Sequence, residues 1–246
     1  KKGRKYVIIP KFGRGSSMIY ITGDTHGKFS RIEKFCQEFN TTKADYLIIL
    51  GDAGINYFGS YDNKLKSYLE SLPITFLLVY GNHEERPENI KTYKEVPMFS
   101  NTMYQEEDYP SLLFFKDGEI YNILGKKVLV IGGAFSVNKD LMLEHGYKWF
   151  KDEQPNELIK ENTLKNLANN NYQVDYILSH TCPFKYLPIE MFYVNIDQSK
   201  VDQTTEKFLD LIENQTTYTK WYCGHFHTDK VVDKINFMFN DFKSFE

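Results

Sequence analysis

Short, uninterrupted apolar runs alternate along this chain with stretches whose apolar residues recur every three or four positions. The first pattern predicts strands buried on both faces, and the second predicts amphipathic helices. Residues 18–22 form the first such strand and lead into Gly23-Asp24. Residues 29–39 follow as a helix, with Phe29, Ile32, Cys36 and Phe39 on one face. Residues 46–50 are a second strand, ending in Gly51-Asp52, and a helix over 63–72 gathers Leu65, Leu69 and Leu72 on one side. Residues 75–80 are the third strand, ending in Gly81-Asn82-His83-Glu84. The section 112–133 reads as several strands with turns at Asp117-Gly118 and Gly125-Lys126. After a polar, aromatic excursion over 134–155, helices at 156–170 and 204–214 flank a strand at 174–178 that runs into Ser179-His180. A last buried strand, 220–223, ends in Gly224-His225-Phe226-His227, and 230–239 closes the pattern as a hairpin.

Strands alternating with helices predict a layered α/β or α+β fold. In open sheets of this kind ligands bind beyond the carboxyl ends of the strands. That rule places Asp24, Asp52 and Asn82 at one sheet edge although they are far apart in sequence. The 246 residues contain no internal repeat or clear linker, so a single domain over 18–246 is expected. Residues 1–17 are basic and glycine-containing; they read as a vector-derived extension before Met18, or as an edge strand over 6–10.

Composition changes this picture little. Hydrophobic residues at 41% and charged residues at 26% are values of a globular chain rather than a disordered one. A formal net charge of -3 lacks the basic signature of a nucleic-acid coat. Cys36, Cys182 and Cys223 are an odd, scattered set without a C-x-x-C pair, which favours a reducing compartment over a disulfide framework. No run is long and apolar enough to span a bilayer, and a cytoplasmic protein without membrane contact is expected.

Histidine placement carries the chemistry. Of 6 histidines, His26, His83, His180, His225 and His227 all fall at or just after strand ends. Imidazole and carboxylate together suit divalent zinc, manganese or iron. Asp24-x-His26 and His225-x-His227 each project two side chains to the same side of an extended segment. Such a pair can grip one ion, or serve two. Asp52 has two oxygens and can bridge two cations, while Asn82 offers a neutral carbonyl oxygen. Asp24, His26, Asp52, Asn82, His180, His225 and His227 are too many donors for one tetrahedral ion and suit two. Two cations about 3.5–4 Å apart can clamp the attacking and leaving oxygens of a phosphate, which is the physical reason to expect phosphoester hydrolysis.

The ordered series Asp24-x-His26, Gly51-Asp52, Gly81-Asn82-His83-Glu84, His180 and Gly224-His225-x-His227 resembles the calcineurin-like metallophosphoesterase family, over most of the chain. The resemblance implies a four-layer sandwich of two mixed sheets flanked by helices, of the metallo-dependent phosphatase type. It implies two divalent ions, one held by Asp24, His26, Asp52 and His227 and the other by Asp52, Asn82, His180 and His225. It also implies that His83 faces the phosphate as a catalytic residue rather than a ligand. The expected reaction is attack on phosphorus by a hydroxide bridging the ions, with His83 assisting. The chain departs from the protein Ser/Thr phosphatase branch, whose G-D-x-V-D-R-G motif is here Gly51-Asp52-Ala53-Gly54-Ile55-Asn56-Tyr57. That branch's aspartate partner for the histidine and its phosphate-binding arginine are therefore missing, and Glu84 or a backbone carbonyl is expected to orient His83.

Other candidates have plainer readings beside them. Asp24 and Asp52 could be turn residues singly, but not jointly with five placed histidines. Arg86 and Lys139 are candidate phosphate contacts, or surface residues. Trp149 is a candidate stacking platform, or a loop anchor. His145 reads as a solvated loop residue and Cys182 as an inert buried thiol. The expected substrate is a phosphorylated small molecule or protein, cleaved as a monoester. A phosphodiesterase or nuclease on the same site and a non-catalytic scaffold of the same fold are the alternatives.

Overall fold

A computed structural model describes residues 17–194 and 196–245. The possible edge strand over 6–10 lies outside them. Among the described residues, thirteen strands form two mixed sheets. The first sheet holds β1 (Ile19–Thr22), β2 (Tyr46–Ile49), β3 (Thr75–Leu78), β4 (Tyr93–Met98), β5 (Asn101–Glu106), β6 (Leu112–Phe114) and β13 (Lys243–Ser244), in the order β13-β1-β2-β3-β6-β5-β4. The second holds β7 (Glu119–Ile123), β8 (Lys126–Ile131), β9 (Tyr176–Ser179), β10 (Lys220–Cys223), β11 (Lys230–Val232) and β12 (Ile235–Phe237), in the order β11-β12-β10-β9-β8-β7. β1, β2, β3 and β6 run parallel, as do β8, β9, β10 and β12.

The continuous apolar runs are explained by what each face meets. In β2, Ile48 points into a core between the sheets, where it joins Ile21, Leu77, Val130, Leu178 and Tyr222. Its neighbours Leu47 and Ile49 point the other way. They pack with Ile32 and Phe35 of α1 (Ser30–Phe39) and Leu69 of α2 (Asp62–Ser71). In the second sheet, Ile177 and Trp221 face outward onto Leu167 of α4 (Glu157–Asn169) and Leu209 and Ile212 of α5 (Thr204–Gln215). The layers are therefore helix, sheet, sheet, helix, as the resemblance implies.

Local chemistry sets the helix ends. α1 stops where Asn40 takes a left-handed conformation (φ 46°) and returns its N–H to the Cys36 carbonyl. α4 starts where the Asn156 side chain accepts the Ile159 N–H at 2.9 Å.

Two elements differ from the sequence expectation. The β4–β5 hairpin carries charges and Pro97 on an edge that is largely open to solvent. Its turn, Phe99-Ser100, has both residues at positive φ (50° and 62°), the pattern of a type I′ turn. That turn usually announces itself by Asn-Gly, so its signal was missing. A short helix, α3 (Lys139–Glu144), lies inside the 134–155 excursion. No helix among the described residues is long and apolar enough to cross a membrane.

Candidate metal centre

The carboxyl ends of β1, β2 and β3 lie side by side in one sheet, and those of β9 and β10 lie side by side in the other. The turns after these five strands supply all seven candidate ligands. Four of those ligands hold positive φ: His26 (46°), Asp52 (49°), His225 (66°) and His227 (50°). Non-glycine residues take this conformation at a cost, and such strain collects at functional sites. The glycines before the ligands are there for space. A Cβ on Gly51, itself at φ 91°, would collide with the His180 ring, and one on Gly224 would collide with the Asp24 carboxylate.

The side chains form two facing clusters. In the first, His26 Nε2 and His227 Nε2 point at each other at 2.9 Å. Asp24 Oδ2 lies 3.8 Å and 3.4 Å from these nitrogens. That oxygen is buried without a hydrogen-bond partner. The other Asp24 oxygen accepts the His225 backbone N–H at 2.9 Å, which locks the carboxylate in place.

In the second cluster, His180 Nδ1 lies 2.7 Å from the Leu50 carbonyl. A carbonyl only accepts, so Nδ1 carries a proton and, in this tautomer, the Nε2 lone pair points inward. That lone pair faces Asn82 Oδ1 at 2.8 Å. The amide oxygen is itself fixed, because Asn82 Nδ2 donates to Ser136 Oγ at 2.9 Å. Two acceptors at this distance repel unless a cation or a second ring proton comes between them. The His225 ring stacks edge-on to His180, with centroids 5.0 Å apart.

Asp52 stands between the clusters. Its Oδ1 accepts the His83 backbone N–H at 2.9 Å. Its Oδ2 lies 3.9 Å from His26 Nε2 on one side and 3.7 Å from His180 Nε2 on the other. Asp24, His26 and His227 could hold one ion between them, and Asp24, Asp52 and His180 bring their donor atoms within 4.8 Å of one another in a second group. The orphaned Asp24 oxygen and the opposed acceptors are what a cation would resolve, so these residues fit divalent metal.

Charge states agree. Burial works to raise the Asp24 and Asp52 carboxyls, but the surrounding imidazoles hold both below the usual carboxylate range, so both are anionic. Burial pushes His225 down to about 3 and lowers His26, which leaves both rings neutral with lone pairs to offer.

His83 lines the cavity beside this centre, its ring 6.0 Å from that of His26. Glu84 does not orient it. The Glu84 side chain is fully buried and accepts the Gly81 N–H at 2.7 Å, stapling the turn that presents Asn82 and His83. Burial, with the Asp52 charge, raises its carboxyl well above the usual range. Ile55 sits in the outer core of the first sheet, and Asn56 accepts the Tyr93 hydroxyl at 3.1 Å. Both positions that bear phosphatase chemistry in the Ser/Thr branch are thus structural here.

Arg86 and Lys139, expected as phosphate contacts, lie elsewhere. Arg86 is buried, with its Nη1 2.6 Å from Asp117, its guanidinium 3.9 Å over the Tyr80 ring and its Nε donating to the Asp152 carbonyl. Lys139 places its ammonium 3.8 Å over Trp149, so the two candidates engage each other. Neither lines the cavity. His145 is exposed at the end of α3, and Cys182 is fully buried, as expected.

The sequence reading missed Ser136 and Glu153. Glu153 accepts from the Ser136 N–H at 3.1 Å and from its hydroxyl at 2.6 Å. The same hydroxyl takes the Asn82 amide proton. This relay holds the Asn82 carbonyl toward His180. Nothing in spacing reveals it, because Glu153 arrives from the far end of the 134–155 excursion.

No curated protein is matched. Among solved structures, the chain is similar to TT1561 of Thermus thermophilus, with a TM-score of 0.51 at 14% identity over 92% of this chain and 89% of that one. A phosphopantetheinyl hydrolase of Mycobacterium tuberculosis is matched at a TM-score of 0.45 with 11% identity, over 92% of this chain and 89% of that one. The family model described as calcineurin-like phosphoesterase matches residues 17–229, a span that takes in all seven candidate ligands. The chain therefore belongs to the calcineurin-like phosphoesterase family, and it is a metal-dependent hydrolase of phosphoester bonds.

Proposed function

We propose that the chain is a phosphomonoesterase with a dinuclear centre, in which Asp24, His26 and His227 hold one divalent ion, Asn82, His180 and His225 hold the other, and Asp52 is shared. Manganese, iron or zinc suits this mixed imidazole and carboxylate set. The observation that carries the reading is the placement of Asp52 Oδ2, within 3.9 Å of His26 Nε2 and 3.7 Å of His180 Nε2, one from each cluster.

When bound, the ions supply Lewis acidity toward the phosphoryl oxygens and activate water. The chain's own residues do the rest. The His225 N–H fixes the Asp24 carboxylate and the His83 N–H fixes that of Asp52, so neither must reorganise during reaction. The Leu50 carbonyl holds His180 in the tautomer whose lone pair faces inward. His83 is half-buried on the cavity wall, where its imidazole can steady the phosphoryl group or give a proton to the departing alkoxide. Free, buried Cys36, Cys182 and Cys223 fit a reducing, cytoplasmic setting.

The test pairs two substitutions and two substrates. Asp52→Asn should lose both bound metal and turnover, whereas His83→Ala should keep metal and lose about 10²–10⁴-fold in kcat. Equal metal loss in both variants would refute the assignment. Parallel assays on a chromogenic monoester and a diester decide between phosphatase and phosphodiesterase.

A further inference from the structure

The cavity that opens on the metal centre has a second half of different chemistry. Its volume is about 240 Å³, against the roughly 10–15 Å³ that a single water-sized probe occupies, so it has room for much more than a phosphate group. Beyond His83 and the metal-facing residues, the wall is built by Leu187, Met191, Phe192, Ile196, Val201 and Phe226. Most of these come from residues 184–194 and 196–201, which carry three single 3₁₀ turns between β9 and α5. The same stretch leaves Ile189 (74%) and Tyr193 (67%) exposed to solvent, and Tyr193 also lines the cavity. Apolar side chains left open at the rim of a site mark a ligand-binding surface.

Charge narrows the ligand. No lysine or arginine is among the described residues that line the cavity. Its two carboxyl groups are Asp52, within the metal centre, and Glu206. Glu206 is nearly buried on the wall; Thr181 donates to its Oε1 at 2.8 Å, while its Oε2 has no hydrogen-bond partner. A second anionic group on the substrate would lie against a carboxyl and apolar carbons with no cation to meet it.

We propose that the substrate is the phosphate monoester of an uncharged, mainly apolar alcohol of limited size, whose body is held by the wall that residues 187–194 and 196–201 supply. Phosphoproteins, polynucleotides and sugar bisphosphates are disfavoured by the same surface. The proposal rests on the phosphomonoesterase reading and names its substrate class.

The test uses the full chain loaded with manganese and three phosphate esters: ethyl phosphate and 3-phenylpropyl phosphate, both of primary alcohols, and glucose 1,6-bisphosphate. Ethyl and 3-phenylpropyl phosphates have similar leaving groups, so a difference in kcat/KM between them reports the cavity rather than the chemistry. The expected result is a 10- to 100-fold preference, order of magnitude, for the phenylpropyl ester over the ethyl one, with the bisphosphate lowest. Calorimetry with the non-hydrolysable 4-phenylbutylphosphonate and propylphosphonate should show the same ranking in binding. Val201→Lys should shrink the preference by about tenfold by placing a cation on the wall. Equal rates for the ethyl and phenylpropyl esters, a preference for the bisphosphate, or a ranking untouched by Val201→Lys would overturn the proposal. Failure to hydrolyse any of the three while a diester is cleaved would overturn the monoesterase reading instead.

Discussion

Ser136→Ala removes one hydroxyl, yet that hydroxyl is the middle of a relay. It accepts from Asn82 Nδ2 at 2.9 Å and donates to Glu153 Oε2 at 2.6 Å, and all three side chains are buried. The loss of two buried hydrogen bonds, one to a carboxyl, removes roughly 2–4 kcal/mol of stability, most of it because the Glu153 oxygen and the Asn82 amide are left unsatisfied. The consequence for the site is more specific. With Ser136 present, the amide can put only Oδ1 toward His180, 2.8 Å from Nε2. Without it, the flipped amide becomes comparable in energy and presents N–H groups where a cation belongs. Removing a partner that orients a ligand typically weakens metal binding 10- to 100-fold. Manganese titration by calorimetry, run beside thermal unfolding, separates the effects. The expected outcome is one of two sites weakened by that factor, with the other unchanged, because Asn82 belongs to one cluster only. Lowered stability with both affinities intact would refute the relay as an orienting device.

Three further outcomes are expected. Gly51→Ala should abolish metal binding at the His180 site, since its Cβ would occupy the ring position of His180; retained stoichiometric binding at that site, read by metal analysis, would contradict the packing. Arg86→Ala should cost about 3–5 kcal/mol by leaving buried Asp117 uncompensated, while KM for a monoester stays within twofold; a large KM rise with stability intact would return Arg86 to the substrate. Glu206 is pushed up to about 7 from 4.5 by burial. Its folded pKa exceeds the unfolded one, so the native protein holds an extra proton between those values and stability falls as pH rises through that window. In metal-free protein, Glu206→Gln should therefore stabilise by up to about 3 kcal/mol above pH 7 and by nothing below the unfolded pKa. Denaturant midpoints at both ends check this, and an equal effect at the two would contradict it.

How much of this was legible beforehand follows from range. The buried parallel strands announced themselves because both faces meet apolar layers: Leu47, Ile48 and Ile49 are all fully buried. The seven candidate ligands were legible because each follows the end of such a strand, and a strand end is a local feature. What failed depends on contacts that sequence spacing does not encode. The Phe99-Ser100 turn adopts glycine-like geometry without glycine. Arg86 looked available beside the Gly81-Asn82-His83-Glu84 run, but Asp117, distant in sequence, takes its guanidinium. Glu153 and Ser136 meet only once the excursion folds back. Glu206 reaches the cavity from α5, a helix whose pattern reads simply as amphipathic.

The central claim is that Asp52 joins two metal sites, and electron paramagnetic resonance of the manganese-loaded chain tests it most directly. Two manganese ions per chain with the spectrum of a magnetically coupled pair, collapsing to uncoupled ions in Asp52→Asn, is the predicted result. A single ion per chain, or two that remain magnetically independent in the unaltered protein, would contradict the account.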